Sequence, residues 1–379
     1  MPLPSAPRLL FTVTTDLCFD QRMQRICGSL AAAGYRVQLV GWQRPASPPL
    51  TPQPYQQHRL QGWFQKGKLF YLEYNLRLFF YLLGQRAAAW CACDLDTALP
   101  MWLRARLGGQ PFVYDAHELF TEVPEVVARP AVQRVWRWVE GFIVPRTQLA
   151  YTVGPALARL FEQRYGRPFG VVRNVSRLRG EDFVSPAPDG APASGYILYQ
   201  GALNVGRGLE NLLEAMPQVA GRLVICGEGD LSAALREQAE RLGLLASGRV
   251  EFRGFVLPEA LREVTRHAAV GIMLLENIGL SYYYSLANKF FDYVHAGIPQ
   301  VLIDFPEYRA LNDEFDVAEL VTDLAPATLA RALNRLLSDE PARYQHLAAN
   351  CRRAAPQLSW QHEERGLRKL WAGVVPVAE

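Results

Sequence analysis

A chain of 379 residues, of which 50% are hydrophobic and 20% charged, can bury large cores, and its length predicts two or three domains. No stretch is long and apolar enough to span a membrane, and the first residues lack the pattern of a secretory signal, so we expect a cytoplasmic protein. The six cysteines are scattered, which favours free thiols. The lone C-x-C of Cys91 and Cys93 has no second pair and is weak support for a metal site.

The net charge of +3 is unevenly distributed. Residues 1–180 contain 22 Lys and Arg against 11 Asp and Glu, a balance of +11, whereas residues 181–379 contain 18 against 26, a balance of −8. A basic half suggests an anionic partner, such as nucleic acid, lipid headgroups or a phosphorylated acceptor. Charge that serves only solubility would explain the same counts.

The N-terminal segment predicts a β-α-β unit. Residues 8–13 form a short apolar strand, residues 21–33 form a helix that ends at Gly34, and YRVQLVGW forms a second strand. No G-x-G-x-x-G motif joins the first strand to the helix, which disfavours dinucleotide binding there. A proline-rich loop follows at residues 45–54.

Residues 58–90 combine basic and aromatic side chains. Glu73 is their single acidic residue, against five basic residues: Arg59, Lys66, Lys68, Arg77 and Arg86. Between these lie eight aromatic residues: Trp63, Phe64, Phe70, Tyr71, Tyr74, Phe79, Phe80 and Tyr81. A basic aromatic helix can lie in a membrane interface, but a core helix whose basic ends reach water has the same composition.

The D-x-D of Asp94 and Asp96 resembles a metal-binding motif. However, Asp96 and Thr97 stand where the N-cap of the next helix, residues 98–107, belongs. We therefore interpret them as capping residues and predict no metal site.

A second polar cluster follows the apolar start of PFVYDAHELFTEVPE. The strand runs into Asp115, His117 and Glu118. Ligands gather beyond the carboxyl ends of strands in open α/β sheets, so this cluster is a candidate site. His117 could equally be a structural histidine. A helix near residues 132–141 and a strand near residues 149–153 complete the half.

After a segment rich in Pro, Gly, Ala and Ser, typical of a linker, strands and helices alternate again, which predicts a second doubly wound α/β domain. Gly201, Gly206 and Gly208 allow the backbone to approach an anion, and Arg207 adds a permanent charge. Residues 227–229, Gly-Glu-Gly, also follow a strand and open a helix.

The helix predicted for residues 286–296 ends at Gly297, and Pro299 prevents its continuation. Its polar residues share one face: Asn288, Lys289, Asp292 and His295. The amides at its start favour phosphate, and a carboxylate further along can accept hydrogen bonds from a ribose diol. A solvated helix face would look the same. Agreement with the glycine clusters favours a nucleoside-diphosphate site.

These segments resemble the family-4 retaining glycosyltransferases, which have the GT-B architecture. The resemblance is strong over residues 196–340, in GALNVGRGLENLLEA, ICGEG, VEFRGFV and LANKFFDYVHAGIPQVLIDFPE, and YDAHELFTE resembles the family's histidine segment. It implies an α/β fold with two Rossmann-like doubly wound domains facing a central cleft. The implied parts are an acceptor-side domain (1–180), a linker (181–194), a nucleotide-sugar domain (195–355) and a helix crossing back to the first domain (356–379).

The resemblance also implies roles for single residues. His117 would contact the transferred sugar, and Arg207 would bind the donor diphosphate. Lys289 stands at the phosphate-facing helix start and completes the implied catalytic set. Phosphate, base and ribose would be bound by six further residues: Gly201, Ala202, Gly227, Val256, Asn288 and Asp292.

The chain departs from the family pattern at four places. Asp292 replaces the second glutamate of the family's pair, and Tyr284 stands at the first. The arginine expected shortly after Gly201 is missing, and TTDLCFDQR lacks the glycine pair of the first loop. These changes affect the sugar and acceptor sides of the site more than the nucleotide side.

The implied reaction moves a sugar from a UDP- or GDP-sugar to a saccharide or lipid-linked acceptor, with retention and without metal or another cofactor. Preorganised amides and Arg207 would stabilise the leaving diphosphate, and no placed carboxylate pair indicates double displacement. The resemblance implies polysaccharide biosynthesis in the cytoplasm or at the inner face of the membrane, without nucleic acid. Two alternatives stay open: a nucleotide-sugar epimerase of this fold, and a non-catalytic binding subunit. The second is open because Tyr284 replaces the first glutamate of the family's pair.

Overall fold

The computed structural model describes residues 6–180 and 195–377, so the predicted linker at residues 181–194 lies outside the described residues. The chain divides into two compact units. Unit 1 comprises Met1–Arg173 and Glu363–Glu379, and unit 2 comprises Asn174–His362. Each unit contains one parallel sheet with helical connections, which confirms the predicted α/β class.

Unit 1 has a seven-stranded sheet in the order β3-β2-β1-β4-β5-β6-β7, with every pairing parallel. Its strands are β1 (Arg8–Thr12), β2 (Arg36–Trp42), β3 (Gln56–Leu60), β4 (Ala89–Cys93), β5 (Phe112–Ala116), β6 (Leu149–Thr152) and β7 (Gly170–Val171). Its helices are α1 (Gln21–Ala32), α2 (Gly67–Leu83), α3 (Ala98–Gly108), α4 (Pro124–Val127), α5 (Pro130–Ile143) and α6 (Pro155–Tyr165).

The central strands of unit 1 are continuous apolar runs because helices cover both faces of the sheet. Strands β4 and β5 are buried at every position. Strand β3, with the polar sequence QQHRL, was not predicted, because it is an edge strand that pairs only with β2 and remains partly exposed. Helix α2 begins at Gly67, so the basic aromatic segment is helical only in its second part.

Unit 2 has a six-stranded parallel sheet in the order β10-β9-β8-β11-β12-β13. Its strands are β8 (Tyr196–Gln200), β9 (Leu223–Cys226), β10 (Val250–Gly254), β11 (Ala268–Met273), β12 (Gln300–Ile303) and β13 (Ala318–Val321). Its helices are α7 (Leu209–Ala215), α8 (Ser232–Arg241), α9 (Pro258–Arg266), α10 (Leu280–Tyr283), α11 (Asn288–Ala296), α12 (Pro306–Phe315), α13 (Pro326–Asn334) and α14 (Pro341–Ala354).

The last helix, α15 (Trp360–Ala372), packs against unit 1. The ring of Trp371 lies 5.1 Å from that of Phe11, between centroids, and Ser29 donates a 2.8 Å hydrogen bond to Glu364. Glu363 forms an ion pair with Arg173 at 2.9 Å. These contacts explain why the residues from Glu363 onward group with the N-terminal unit.

The strand order reverses beside β1 in unit 1 and beside β8 in unit 2. In doubly wound sheets, the loops at such a reversal leave a crevice at the carboxyl ends of the strands, where ligands bind. Two places are therefore of interest: the ends of β1, β4 and β5 in unit 1, and the ends of β8 and β11, with the adjacent β9, in unit 2. Among the described residues, no helix is both long and apolar enough to cross a bilayer.

Candidate functional site

Two glycine loops lie against each other at the carboxyl ends of β8 and β9. Gly201 and Gly227 have φ values of +131° and +148°, which L side chains rarely adopt. A Cβ atom on Gly227 would lie 1.9 Å from the Gly201 carbonyl oxygen, so only glycine fits there. The Gly201 amide donates to the Cys226 carbonyl, and the Gly227 amide donates to the Gly254 carbonyl. The loops are thus held close enough for backbone amides to approach a ligand.

The Lys289 ammonium group lies beside the first of these loops. Its Nζ atom is 3.8 Å from the centroid of the Tyr199 ring and 3.4 Å from the place where a Gly201 Cβ would stand. The side chain is buried, and no ion pair joins it to a carboxylate in the described ranges, 6–180 and 195–377. Burial, aided by the charge of Arg207, lowers the pKa of Lys289 well below its usual value.

Arg207 is the second cation of this loop region. Its guanidinium lies over the Tyr282 ring, 4.8 Å from the centroid, and its buried Nε–H has no hydrogen-bond partner. Within the described part of the chain, no carboxylate pairs with Arg207. A buried cation without a counterion is costly, so the two side chains together form a site that favours an anion.

Helix α11 differs from its prediction. It begins at Asn288, and seven of its nine residues are buried, including Lys289 and His295. The alternative of a solvated helix face is therefore wrong, because, of the four polar residues, only Asn288 is exposed, and Asp292 is partly buried. The helix lies between other elements of unit 2, and its polar side chains serve contacts inside that unit.

Asp292 is held by two hydrogen bonds from distant parts of the sequence. Ser176 Oγ donates to Asp292 Oδ1 at 3.0 Å, and Gln200 Nε2 donates to Asp292 Oδ2 at 3.1 Å. Gln200 is itself oriented by Thr265, whose hydroxyl donates to its amide oxygen at 2.8 Å. On the other side, His295 Nδ1 lies 3.3 Å from Ser176 Oγ. The carboxylate that was assigned to ribose is thus preorganised.

The remaining predicted residues of unit 2 take separate positions. Ala202 is exposed, and its carbonyl accepts a hydrogen bond from the Tyr199 hydroxyl at 2.8 Å. Val256 follows β10 and packs against the core near Leu198. Tyr284 ends α10, with its ring 5.1 Å from that of Tyr283. A phenol therefore stands where the family has its first glutamate.

In unit 1, His117 lies between two carboxylates. Its Nε2 is 3.3 Å from Asp115 Oδ2, and its Nδ1 is 3.5 Å from Asp94 Oδ2. The backbone N–H of His117 also donates to Asp94 Oδ1 at 2.9 Å. Asp115 is fully buried and forms a 2.8 Å ion pair with Arg22. The cluster therefore holds the imidazole ring in one orientation.

The charges of this cluster shift the ionisation of its members. Burial alone would lower the pKa of His117, but the Asp115 and Asp94 carboxylates outweigh it and raise that pKa to about 9. Burial raises the pKa of Asp94 above its usual range, and it raises the pKa of Asp96 to about 6. The pKa of Asp115, in contrast, is held below its usual value by Arg22 and His117. The cluster therefore favours the protonated imidazole of His117, with Asp115 as its charged partner.

Asp96 and Thr97 do not cap the following helix with their side chains, so the capping interpretation is wrong. Neither Asp94 nor Thr97 makes a side-chain capping hydrogen bond. Asp94 contacts His117 instead, and Asp96 accepts a 2.6 Å hydrogen bond from Thr14, at the end of β1. Asp94 also has φ +59° and ψ 173°, a conformation that costs a residue other than glycine about 1–3 kcal/mol. Such strain concentrates at functional sites.

One cluster of potential metal ligands occurs in the part of the chain that the structure describes. Three potential ligand atoms come within 4.8 Å of one another at Cys93, Asp115 and His117. However, the Asp115 carboxylate is already neutralised by Arg22, and the Cys93 thiol faces the Met23 sulfur at 3.3 Å. A cation would have to displace a buried ion pair, so this cluster does not suit a metal.

Comparison with known families assigns both halves of the chain. The family of glycosyl transferases group 1 matches residues 194–339, and the glycosyl transferase 4-like domain matches residues 20–176. The chain belongs to the GT-B glycosyltransferases. Both matches contain the clusters described above, since His117 lies in the second and Arg207, Lys289 and Asp292 lie in the first. A search of curated protein sequences finds no match.

Solved structures of similar fold cover nearly the whole glycosyltransferase. Sucrose-phosphate synthase from Thermosynechococcus elongatus has a TM-score of 0.78 at 19% identity, covering 97% of this chain and 98% of its own. HepE from Anabaena, in complex with UDP-glucose, has a TM-score of 0.73 at 14% identity, covering 97% and 100%. WaaG, a glycosyltransferase involved in lipopolysaccharide biosynthesis, has a TM-score of 0.71 at 14% identity, covering 97% and 100%. At these identities the likeness establishes the fold alone.

Proposed function

We propose that this glycosyltransferase binds a UDP- or GDP-sugar in unit 2 and transfers the sugar to an acceptor hydroxyl with retention of configuration. The observation that carries this proposal is a pair of cations, Lys289 and Arg207, beside the loops of Gly201 and Gly227. Neither cation pairs with a carboxylate within residues 6–180 and 195–377. A diphosphate supplies the missing negative charge. The complex of HepE with UDP-glucose supports this choice of ligand class.

The leaving diphosphate gains charge in the transition state, and both cations would stabilise it there. The amides at the start of α11 and in the glycine loops add oriented donors. Because the Lys289 pKa is lowered in the unliganded protein, a diphosphate would also favour the protonated ammonium. In this proposal the protein's own charges replace a metal ion.

Two further parts of unit 2 would bind the ribose and the base of the nucleoside. Asp292, held by Ser176 and Gln200, would accept hydrogen bonds from the ribose diol. The backbone near Val256 would contact the base. The Asp292 side chain is one methylene shorter than glutamate, and its two hydrogen bonds compensate by fixing its direction.

His117 would contact the transferred sugar as an imidazolium. The Asp115 carboxylate favours the charged ring, and the contacts with Asp115 and Asp94 fix its orientation. A positive donor suits a sugar hydroxyl or an oxygen that gains charge. Because no carboxylate is proposed as a nucleophile, we favour front-face transfer, in which the departing diphosphate assists deprotonation of the acceptor.

The acceptor would be a saccharide or a lipid-linked saccharide, with the enzyme in the cytoplasm or peripheral at the inner face of the membrane. The +11 balance of residues 1–180 and the likeness to WaaG support an anionic, lipid-linked acceptor. Changing Lys66, Lys68 and Arg77 together to Gln should reduce binding to anionic vesicles at low salt. Donor affinity should stay unchanged, because the donor residues lie in unit 2.

One incubation separates this function from its alternatives. Nucleotide sugar, with and without a saccharide acceptor, is followed by NMR for released diphosphate and for the anomeric configuration of the product. A transferase releases diphosphate in proportion to product, with retention. An epimerase converts the nucleotide sugar without acceptor, and a binding subunit leaves it unchanged. The binding subunit is a serious alternative because Tyr284 stands where the family has a glutamate.

A further inference from the structure

Helix α2 of unit 1 is apolar on two opposite faces. Its residues Phe70, Tyr74, Leu78 and Leu82 are buried. The opposite side carries five large apolar side chains that are exposed: Leu69, Leu72, Leu76, Phe80 and Leu83. At 100° per residue, these five fall in a stripe about 80° wide. A helix with apolar residues on opposite faces is normally buried on both, so the exposed outer stripe indicates that an apolar partner covers it.

Two neighbouring helices extend this stripe. Helix α3 packs against α2, and α5 packs against α3, while the ring of Trp136 on α5 lies 5.7 Å from that of Tyr71 on α2. Both neighbours expose large apolar residues as well. The exposed large apolar residues of these three packed helices are here called the apolar face, and they comprise the α2 stripe together with Leu103, Leu107, Val135 and Trp138. Trp138 is 64% exposed and stacks on Phe142 at 5.8 Å. Patches of this kind mark interaction surfaces.

The charges on the same helices are mostly basic. Together α2, α3 and α5 contain six basic residues: Lys68, Arg77, Arg104, Arg106, Arg134 and Arg137. They contain two acids, Glu73 and Glu140. Glu73 accepts hydrogen bonds from the Trp63 and Phe64 amides and from Arg77, and buried Glu140 accepts one from Tyr165. Glu73 thus neutralises Arg77, and Arg137 pairs with Glu122 at 2.9 Å. The net positive charge of the three helices comes from the basic residues that form no ion pair within the described ranges: Lys68, Arg104, Arg106 and Arg134.

We propose that the apolar face docks on an anionic lipid bilayer and inserts its leucine, phenylalanine and tryptophan side chains shallowly into it. Interleaved apolar and basic residues, with a tryptophan at the surface, are typical of interfacial helices. A two-fold contact with a second copy would set the basic residues of one copy against those of the other. The inference deepens the lipid-linked acceptor of the proposed function, but vesicle binding requires neither donor nor acceptor.

The experiment compares two double variants of the full chain. Leu72→Gln with Leu76→Gln alters the apolar face, whereas Leu242→Gln with Leu245→Gln alters two exposed leucines of unit 2. Each is sedimented with phosphatidylcholine vesicles that contain about 30 mol% phosphatidylglycerol or none. The apolar-face variant should lose vesicle binding about tenfold or more, and the control variant should bind like the wild type.

Insertion is measured separately by tryptophan fluorescence. Vesicles with brominated acyl chains should quench the wild-type emission, and Trp138→Phe should lose a large part of that quenching. No binding to anionic vesicles, or equal binding by both double variants, would overturn the proposal. So would a dimer in sedimentation velocity that only the apolar-face variant dissociates, because a second copy would then be the occupant.

The experiments distinguish failure of the membrane-docking proposal from failure of the proposed donor site. Thermal shift with UDP and GDP reports on unit 2 in every variant. If a diphosphate binds but no vesicle does, the docking proposal alone fails. If vesicles bind but no diphosphate does, the proposed donor site fails and docking stands.

Discussion

Replacing Lys289 by Met should change stability and donor binding in opposite directions. In the unliganded protein, Lys289 is buried beside Tyr199 and Arg207 and has no carboxylate partner within the described residues. Its ammonium group therefore opposes folding. Methionine has a similar shape without the charge. We expect Lys289→Met to stabilise the free protein by about 1 kcal/mol, which raises the Tm by about 2–4 °C for a domain of this size.

The same change should weaken diphosphate binding. A charge-assisted hydrogen bond contributes about 1.5–3 kcal/mol, so the Kd of the preferred nucleoside diphosphate should rise by about 10- to 150-fold. Calorimetry gives the Kd, and thermal unfolding without ligand gives the Tm. Lys369→Met, at an exposed position of α15, is the matched control and should change neither quantity. A lower Tm together with an unchanged Kd would refute the reasoning, because Lys289 would then be a structural residue.

Four further results are expected. Arg207→Ala should weaken donor binding by about 1.5–3 kcal/mol and lower turnover; unchanged affinity in calorimetry would place the diphosphate elsewhere. Activity should survive EDTA, whereas loss on chelation and recovery with Mn²⁺ would revive the metal interpretation of Asp94 and Asp96. Ser176→Ala should raise the donor KM by about fivefold with little change in kcat, and Ser176→Thr should restore it, because Ser176 orients Asp292; equal kcat losses in both would argue against positioning. Finally, kcat/KM should fall as pH rises through about 9, because the His117 imidazolium, whose pKa is raised, loses its proton there. If a His117→Gln enzyme showed the same loss of kcat/KM at alkaline pH, His117 would not be the titrating group.

The sequence predicted the α/β class of both units, but it did not predict the central strands β4 and β11, whose short runs AWCAC and AAVGIM are rich in small residues. It was insufficient for β3, because QQHRL at a sheet edge needs little apolar character. Periodicity also left open that α11 presents a solvated face. That alternative is wrong for Lys289 and His295, since a polar residue at helical spacing can bind a partner inside the protein as well as water.

Two features of the candidate sites could not be read from spacing. The hydrogen bond between Ser176 and Asp292 joins residues 116 positions apart, and only the folded chain brings them together. The backbone of Asp94 takes a glycine-like conformation although its residue type gives no sign of it. The glycine loop at Gly201 and Gly227 was visible in advance, because close backbone approach requires that residue type.

The central claim is that unit 2 binds a nucleoside diphosphate through Lys289 and Arg207, and a binding series tests it most directly. UDP, GDP, the corresponding monophosphates and their sugars are titrated by calorimetry into the wild type and into the Lys289→Met, Arg207→Ala double variant. The account predicts that one base is preferred, that its diphosphate binds more tightly than its monophosphate, and that the double variant loses this difference. Absence of binding by every diphosphate, or equal binding by the double variant and the wild type, would contradict it.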